Sequence, residues 1–144
     1  MCWTKVSVIC SNDQVPIACI FYGANVSDAR TTLETVVNIG CPLRKDRRTT
    51  IDLIGDKGYI SKDVEMSLCL NRINLVTPFR KNSRNRPYTS AKTKKKLKDR
   101  RKIENTFSRM DKFKRIFARQ EQTIGSFMSW NFLACALMTG KYID

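Results

Sequence analysis

A chain of 144 residues with 27 Lys+Arg, 13 Asp+Glu and no histidine carries a formal charge of +14 and has the length of one packed domain. The missing imidazole excludes Ser-His-Asp and Cys-His triads, histidine zinc ligands and histidine general bases, so hydrolytic chemistry here must run on carboxylates. The six cysteines, at 2, 10, 19, 41, 69 and 135, never approach a Cys-x-x-Cys spacing, which argues against structural zinc and for buried, reduced thiols.

Val6 to Cys10 and Val15 to Tyr22 are rich in β-branched and aromatic residues and flank the turn cluster Ser11 to Gln14, which predicts a hairpin. A helix follows from the cap Ser27, with Leu33, Val36 and Val37 on one face, and is stopped by Gly40 and Pro42. After the charged linker Arg44 to Arg48, Thr49 to Ile54 reads as a strand that ends in the turn Gly55-Asp56-Lys57-Gly58. Ser61 caps a helix through about Asn71, with Val64 and Leu68 inward, and Ile73 to Thr77 is a further strand closed by Pro78. Strand, helix, strand implies a parallel pair joined by a right-handed crossover.

Residues 79–91 are polar and basic without periodicity and read as a mobile loop. From about Lys92 to Arg119 a long helix is expected, with the apolar stripe Leu97, Ile103, Phe107, Met110, Phe113 and Phe117 and with Glu104 on its margin, partly shielded. Phe127 to Met138 is the closing helix, its Trp130, Phe127, Phe132 and Leu133 belonging to the core. Its apolar run is broken by Ser129 and Asn131 and falls short of the roughly 20 residues of a membrane span. The amino-terminal segment lacks the plan of an export signal, so the expected location is cytoplasmic and reducing.

The charge is localised. Residues 80–119 hold 17 Lys+Arg against three acids, Asp99, Glu104 and Asp111, and the remainder is balanced. Such a segment is either a solvated helix face or, because its charges repel one another, the seat of an anionic partner. Arg80, Lys81, Arg84 and Arg86, with Tyr88, suit phosphate contact and base stacking. Two acids stand where the local pattern asks for something else: Asp56 at a strand tip and Glu104 amid cations. Taken singly, Asp56 is equally a solvated turn residue and Glu104 equally an intrahelical partner of Arg100 or Arg101. Together they have the parts of phosphodiester chemistry on DNA, in which carboxylates hold divalent metal and cations hold the backbone.

At Gly55-Asp-Lys-Gly-Tyr59 and Arg100-Arg-Lys-Ile-Glu-Asn-Thr-Phe107 the chain resembles the DDE transposases of bacterial insertion sequences. Ala24-Asn-Val-Ser-Asp28, Val76-Thr-Pro-Phe-Arg-Lys-Asn82 and Phe107 to Arg119 extend the resemblance, in the family's order, over nearly the whole chain. Asp56 matches the second catalytic Asp, Glu104 the catalytic Glu, and Arg100 the Arg four residues before it. Leu97 stands where one branch has Tyr, and Asp111, followed by Lys112, where it has Lys. The family's first catalytic Asp lies on a strand ahead of the residues matching Lys5 to Ile9, so it is expected to lie outside this sequence; Asp13, in a turn, and Asp28, at a helix start, are no natural replacements.

The resemblance implies an α/β, ribonuclease-H-like mixed sheet flanked by helices and lacking its first strand, with residues 1–144 a single partial catalytic domain that includes the basic loop and helix 80–119. It implies DNA transposition by metal-dependent phosphodiester cleavage and strand transfer, incomplete in this chain, with Asp56 and Glu104 catalytic and ligating Mg²⁺ or Mn²⁺. A non-catalytic DNA-binding remnant or repressor of a transposable element is the alternative, and a metal-dependent nuclease of the same fold a third. Double-stranded DNA, at transposon ends and target, is the expected partner, held by Arg80, Lys81, Arg84, Arg86, Lys94, Lys95, Lys96, Arg100, Arg101 and Lys112. A homo-oligomer or an upstream-frame transposase product is the expected protein partner.

Overall fold

The computed structural model describes residues 4–39, 49–59, 61–78, 90–118 and 123–141. Strand β1 (Thr4–Cys10) and strand β2 (Pro16–Gly23) pair antiparallel. Ser11 closes their turn: its N–H donates to Val15 O at 2.8 Å, and its Oγ accepts from the N–H groups of Asp13 and Val15. Gln14 takes a φ of 64° there, a left-handed conformation that tight turns require. Strand β3 (Ile51–Ile54) pairs parallel with β4 (Ile73–Val76), and helix α2 (Lys62–Leu70) forms the crossover between them. The hairpin and the parallel pair thus agree with the sequence reading. Among the described residues the strands make two sheets of two strands, β1–β2 and β3–β4, rather than one mixed sheet.

Side-chain alternation shows how helices cover these half-sheets. On β1 and β2, Ser7 and Tyr22 reach helix α1 (Asp28–Val37): the Ser7 and Thr35 hydroxyls share a hydrogen bond of 2.9 Å, and the Tyr22 hydroxyl donates to Thr31 O. On β3 and β4, Leu53, Ile73 and Leu75 face the same layer, packing with Val64 and Leu68 of α2 and with Ala29, Leu33 and Val36 of α1. The opposite face is covered by α3 (Ala91–Lys98), α4 (Arg101–Met110) and α6 (Ile124–Gly140), while the short α5 (Lys114–Phe117) leads into α6. There Phe21 meets Phe127 and Phe132 edge-on at 6.2 and 5.3 Å, a favoured aromatic geometry. The architecture is three layers, helix on sheet on helix, with the sheet in two halves.

Several expectations are corrected. Leu33 and Val36 of α1 do turn inward against the core, but Val37 is 82% exposed and the most deeply buried positions of the helix are Thr31, Thr32 and Thr35. Threonine is tolerated there because each hydroxyl bonds a carbonyl one turn back, Thr35 to Thr31 O and Thr32 to Asp28 O, so no polar group is buried unpaired. Helix α1 ends at Asn38, whose Nδ2 donates to Glu34 O; Gly40 and Pro42, expected to stop it, lie outside the described residues, as do Arg44 to Arg48.

The long basic helix is three helices. At Asp99 to Ile103 the backbone changes to bonds three residues back, Asp99 N to Lys96 O and Ile103 N to Arg100 O, and Phe113 N to Met110 O marks the second break. The halves bend because they serve different strands: α3 lies on the β3–β4 pair and α4 on β1. The buried positions are accordingly Thr106, Met110 and Ile116, while Phe117 is 75% exposed. Phe132 and Leu133 are also half exposed rather than core, and Trp130 takes the Arg115 guanidinium over its ring at 5.1 Å. None of the four described cysteines is fully buried and Cys69 is exposed; all four are free thiols, and Cys2 and Cys41 lie outside the described residues.

Candidate active site

Asp56 follows the last residues of β3, at the carboxyl end of the parallel pair. Gly55 N–H still bonds Val76 O at 3.0 Å, which continues the ladder, and Tyr59 N–H then bonds Asp56 O at 3.1 Å as the chain enters a 3₁₀ turn, Lys57–Tyr59. The Asp56 carboxylate stands out from this tip with its side chain 55% exposed. Its Oδ1 accepts from Lys57 N–H at 2.7 Å and from Arg100 Nη1 at 2.9 Å. Oδ2 has no partner among the described residues.

Both glycines of the Gly55–Tyr59 motif are explained by close approach. A Cβ on Gly55 would lie 3.2 Å from the Tyr59 ring, which folds back over it, and one on Gly58 would lie 2.9 Å from Asp28 Oδ2. Asp28 is held by an ion pair with Lys5, which also donates to Val26 O at 3.0 Å. The segment Ala24–Asp28 therefore abuts the turn that carries Asp56, so two motifs separate in sequence are neighbours in space. Burial, and then the negative charges of Asp28 and Asp56, push the Tyr59 hydroxyl pKa up.

Arg100 is the amino-terminal cap residue of α4, and Glu104 lies one turn further along the same helix side, about 6 Å in axial rise. Glu104 is exposed rather than partly shielded, because α4 buries Thr106 and Met110 against the hairpin instead. The intrahelical ion pair to Arg100 or Arg101 does not form, since Arg100 turns to Asp56. Helix α4 is fixed at the other end of the hairpin: Lys102 Nζ donates to Asn12 Oδ1, Thr106 Oγ1 to Gln14 O at 3.2 Å, and Arg109 Nη1 to Gln14 O at 3.4 Å. Helix α4, with its cap residue Arg100, is thus braced against both half-sheets.

Sequence reasoning missed Asp52. It points away from the Leu53 core, and its Oδ1 accepts from Asn74 Nδ2 at 2.8 Å while its Oδ2 pairs with Lys96 Nζ at 2.5 Å. Burial raises its pKa, but the bonds from Lys96 and Asn74 and the Lys96 charge outweigh that and hold the carboxyl below its ordinary range. The available signal was the break in an apolar strand, Ile51-Asp52-Leu53-Ile54, which strand alternation turns to the second face.

Of the cations expected to hold DNA, Lys94, Lys95, Arg101 and Lys112 are exposed. Lys96 and Arg100 are tied to Asp52 and Asp56. Arg80, Lys81, Arg84, Arg86 and Tyr88 lie outside the described residues. Carboxylate oxygens are suitable donors for Mg²⁺ or Mn²⁺. Asp56 Oδ2 and the Glu104 carboxylate have no partners among the described residues. The donor type therefore fits a hard divalent ion, although no three His, Cys, Asp or Glu side chains among the described residues form a cage.

Fold and site define a class: an α/β domain that presents a carboxylate at a parallel strand tip, pinned by the first arginine of a cationic helix. A family model described as the transposase DDE domain matches residues 2–139, and the chain belongs to that family. Neither the curated proteins nor the solved structures give a match. Membership gives the chain a transposition-related role, with DNA as the general partner and divalent metal as the family's normal cofactor. No helix among the described residues is long and apolar enough to cross a membrane.

Proposed function

We propose that the chain serves DNA transposition, with Asp56 and Glu104 as catalytic carboxylates for cleavage and strand transfer at transposon ends. One observation carries this reading: the exposed Asp56 carboxylate sits at the end of β3 and is held by Arg100, one helical turn before Glu104. A bound Mg²⁺ or Mn²⁺ supplies Lewis-acid activation of the attacking oxygen and stabilises charge on the leaving one. Asp56 and Glu104 are the residues that hold it, and a further carboxylate from outside the described residues completes a ribonuclease-H-like site.

The remaining work falls to position and charge. Lys94, Lys95, Arg101 and Lys112, joined by Arg80, Lys81, Arg84 and Arg86, neutralise DNA phosphates and set the strand's register without reading bases. The Lys57 N–H and the Arg100 guanidinium hold one oxygen of Asp56 and leave the other directed outward. The Arg100 ion pair also favours a second reading, a non-catalytic protein that occupies transposon ends, because it already satisfies an oxygen that a metal would take.

The test is nicking of supercoiled DNA in Mg²⁺ or Mn²⁺, run beside DNA binding in a gel shift. Cleavage by the wild-type chain that disappears in Asp56→Asn and in Glu104→Gln establishes the catalytic reading. DNA binding without cleavage that Glu104→Gln tightens equally with and without Mg²⁺ supports the non-catalytic one, whereas a Mg²⁺-dependent change in binding that Glu104→Gln abolishes keeps the catalytic carboxylates in a site completed elsewhere.

A further inference from the structure

Strand β2 and helix α6 are joined along a seam that brings two thiols together. Because Tyr22 turns to α1, strand alternation turns Cys19 and Phe21 to the α6 side. At one end of the seam Phe21 meets Phe132 at 5.3 Å, and at the other Thr139 Oγ1 donates to Pro16 O at 3.4 Å. Cys19 lies between Pro16 and Phe21 on the strand, and Cys135 lies three residues after Phe132 and four before Thr139, on the same side of the helix. Cys19 and Cys135 therefore face each other between the two contacts.

Small molecules can reach this pair. Both cysteines line a groove of about 550 Å³ whose other walls include Glu34 and Asn38 of α1 and Met128 of α6. Helices α1 and α6 cover opposite faces of the hairpin, so a groove lined by both passes the edge of β2 that bonds no strand among the described residues. Neither cysteine is fully buried, and both are free thiols. The Cys19 S–H donates to the Cys135 sulfur, which outweighs burial and holds the Cys135 pKa below its ordinary value. The same bond, then burial and then the Cys135 charge, push Cys19 up. Cys135 is thus the thiolate of the pair and Cys19 its proton donor.

We propose that Cys19 and Cys135 form an oxidation site, at which a peroxide entering the groove converts the two thiols into a reversible disulfide that locks α6 onto β2. The Cys135 sulfur attacks one peroxide oxygen and the O–O bond breaks. The departing oxygen takes up the proton that Cys135 released and leaves as water, so Cys135 becomes a sulfenic acid. The Cys19 sulfur then attacks the Cys135 sulfur, the S–O bond breaks, and the hydroxyl leaves with the Cys19 proton as a second water. Two thiols and one peroxide give one disulfide and two waters, with both sulfurs oxidised and both oxygens reduced. A thiol reductant reverses the change by exchange at the disulfide.

The test needs neither DNA nor metal, so its failure is separate from that of the transposition reading. The reduced, dilute chain is treated with a small excess of hydrogen peroxide, its remaining thiols are blocked with N-ethylmaleimide in urea, and it is digested with trypsin. Mass spectrometry is expected to find peptide 6–30 joined to peptide 120–141, with fragment ions placing the bond at Cys19 rather than Cys10. This species should exceed any other cysteine pair by at least about tenfold, as for groups held side by side. It should vanish after dithiothreitol and lose its excess when urea precedes the peroxide. Peroxide should also raise the urea midpoint of the wild-type chain, and leave it unchanged in Cys19→Ser and Cys135→Ser. Recovery of both cysteines as maleimide adducts overturns the proposal, as does oxidation of Cys135 without Cys19, or a native chain that pairs its cysteines in the same proportions as the unfolded one. Peptide mapping of the wild-type chain decides the matter even where a variant fails to fold.

Discussion

Asp52 and Asp56 lie four residues apart on one segment, and their partners Lys96 and Arg100 lie four apart on another, so each ion pair spans 44 residues. The outcomes nevertheless differ. Asp52 is within the strand, where parallel register puts Asn74 beside it, and both of its oxygens are bonded. Asp56 is past the last ladder bond, and among the described residues only one of its oxygens is bonded. The same residue type is thus a rivet between β3 and α3 in one place and an exposed carboxylate in the other. Position relative to the strand end decides which.

The comparison breaks most sharply under exchange of the two carboxylates. In chain that nicks DNA, Asp56→Asn is expected to lower the rate by at least the ~100-fold that loss of even an outer-shell metal partner can bring. Asp52→Asn should leave the rate within a few-fold, and initial rates in Mg²⁺ decide the matter. Equal losses in the two variants would remove the distinction drawn between them.

Next in size is the packing that supports Asp56. Gly58→Ala drives a methyl to within 2.9 Å of Asp28 Oδ2, so the turn or the Lys5–Asp28 pair must shift. A loss of about 1–3 kcal/mol in urea unfolding is expected. Gly125→Ala, which meets nothing within 4 Å, is the matched control and should not destabilise.

Among the cations, those tied to carboxylates should differ from those left free. Replacing Lys94, Lys95, Arg101 or Lys112 by Gln is expected to reduce the salt dependence of DNA affinity by up to about 0.9 per phosphate contact removed. Lys96→Gln should change that slope less and cost stability instead, a contrast that binding titrations over a range of salt concentrations resolve.

The smallest effect is electrostatic. With its folded pKa lowered, Asp52 contributes stability that is fully present above its unfolded pKa of about 4 and is lost as pH falls through the lower folded value. Asp52→Asn should therefore cost about 0.2–1 kcal/mol at neutral pH and progressively less as the pH is lowered toward 2. Unfolding curves at the two pH values measure the difference.

Much of this was legible in order along the chain. The hairpin, the parallel pair with its crossover helix and the closing helix follow from residue alternation, turn residues and caps, which act over a few positions. Asp56 stood out because an acid at a strand tip interrupts the apolar pattern. Asp52 was passed over because its partners, Lys96 and Asn74, are distant in sequence. The breaks in the basic helix were hidden as well, since the run from Lys92 to Arg119 has helical periodicity throughout. Its bends come from α3 and α4 docking on different half-sheets. The buried threonines of α1 were passed over for a similar reason: Leu33 and Val36 were rightly counted inward, but the hydroxyls beside them are buried too because they satisfy themselves on their own helix.

By itself the sequence determined the order and kind of the elements, the cationic segment, the absence of imidazole chemistry and the family motifs, because these depend on local sterics, composition and short spacings. Only the tertiary structure decided that Arg100 turns to Asp56 rather than Glu104, that Asp28 meets Gly58, that Lys96 is held by Asp52, and that the described strands form two separate pairs. Those outcomes depend on which surfaces pack together, and a carboxylate's partner is set by proximity in the fold rather than along the chain.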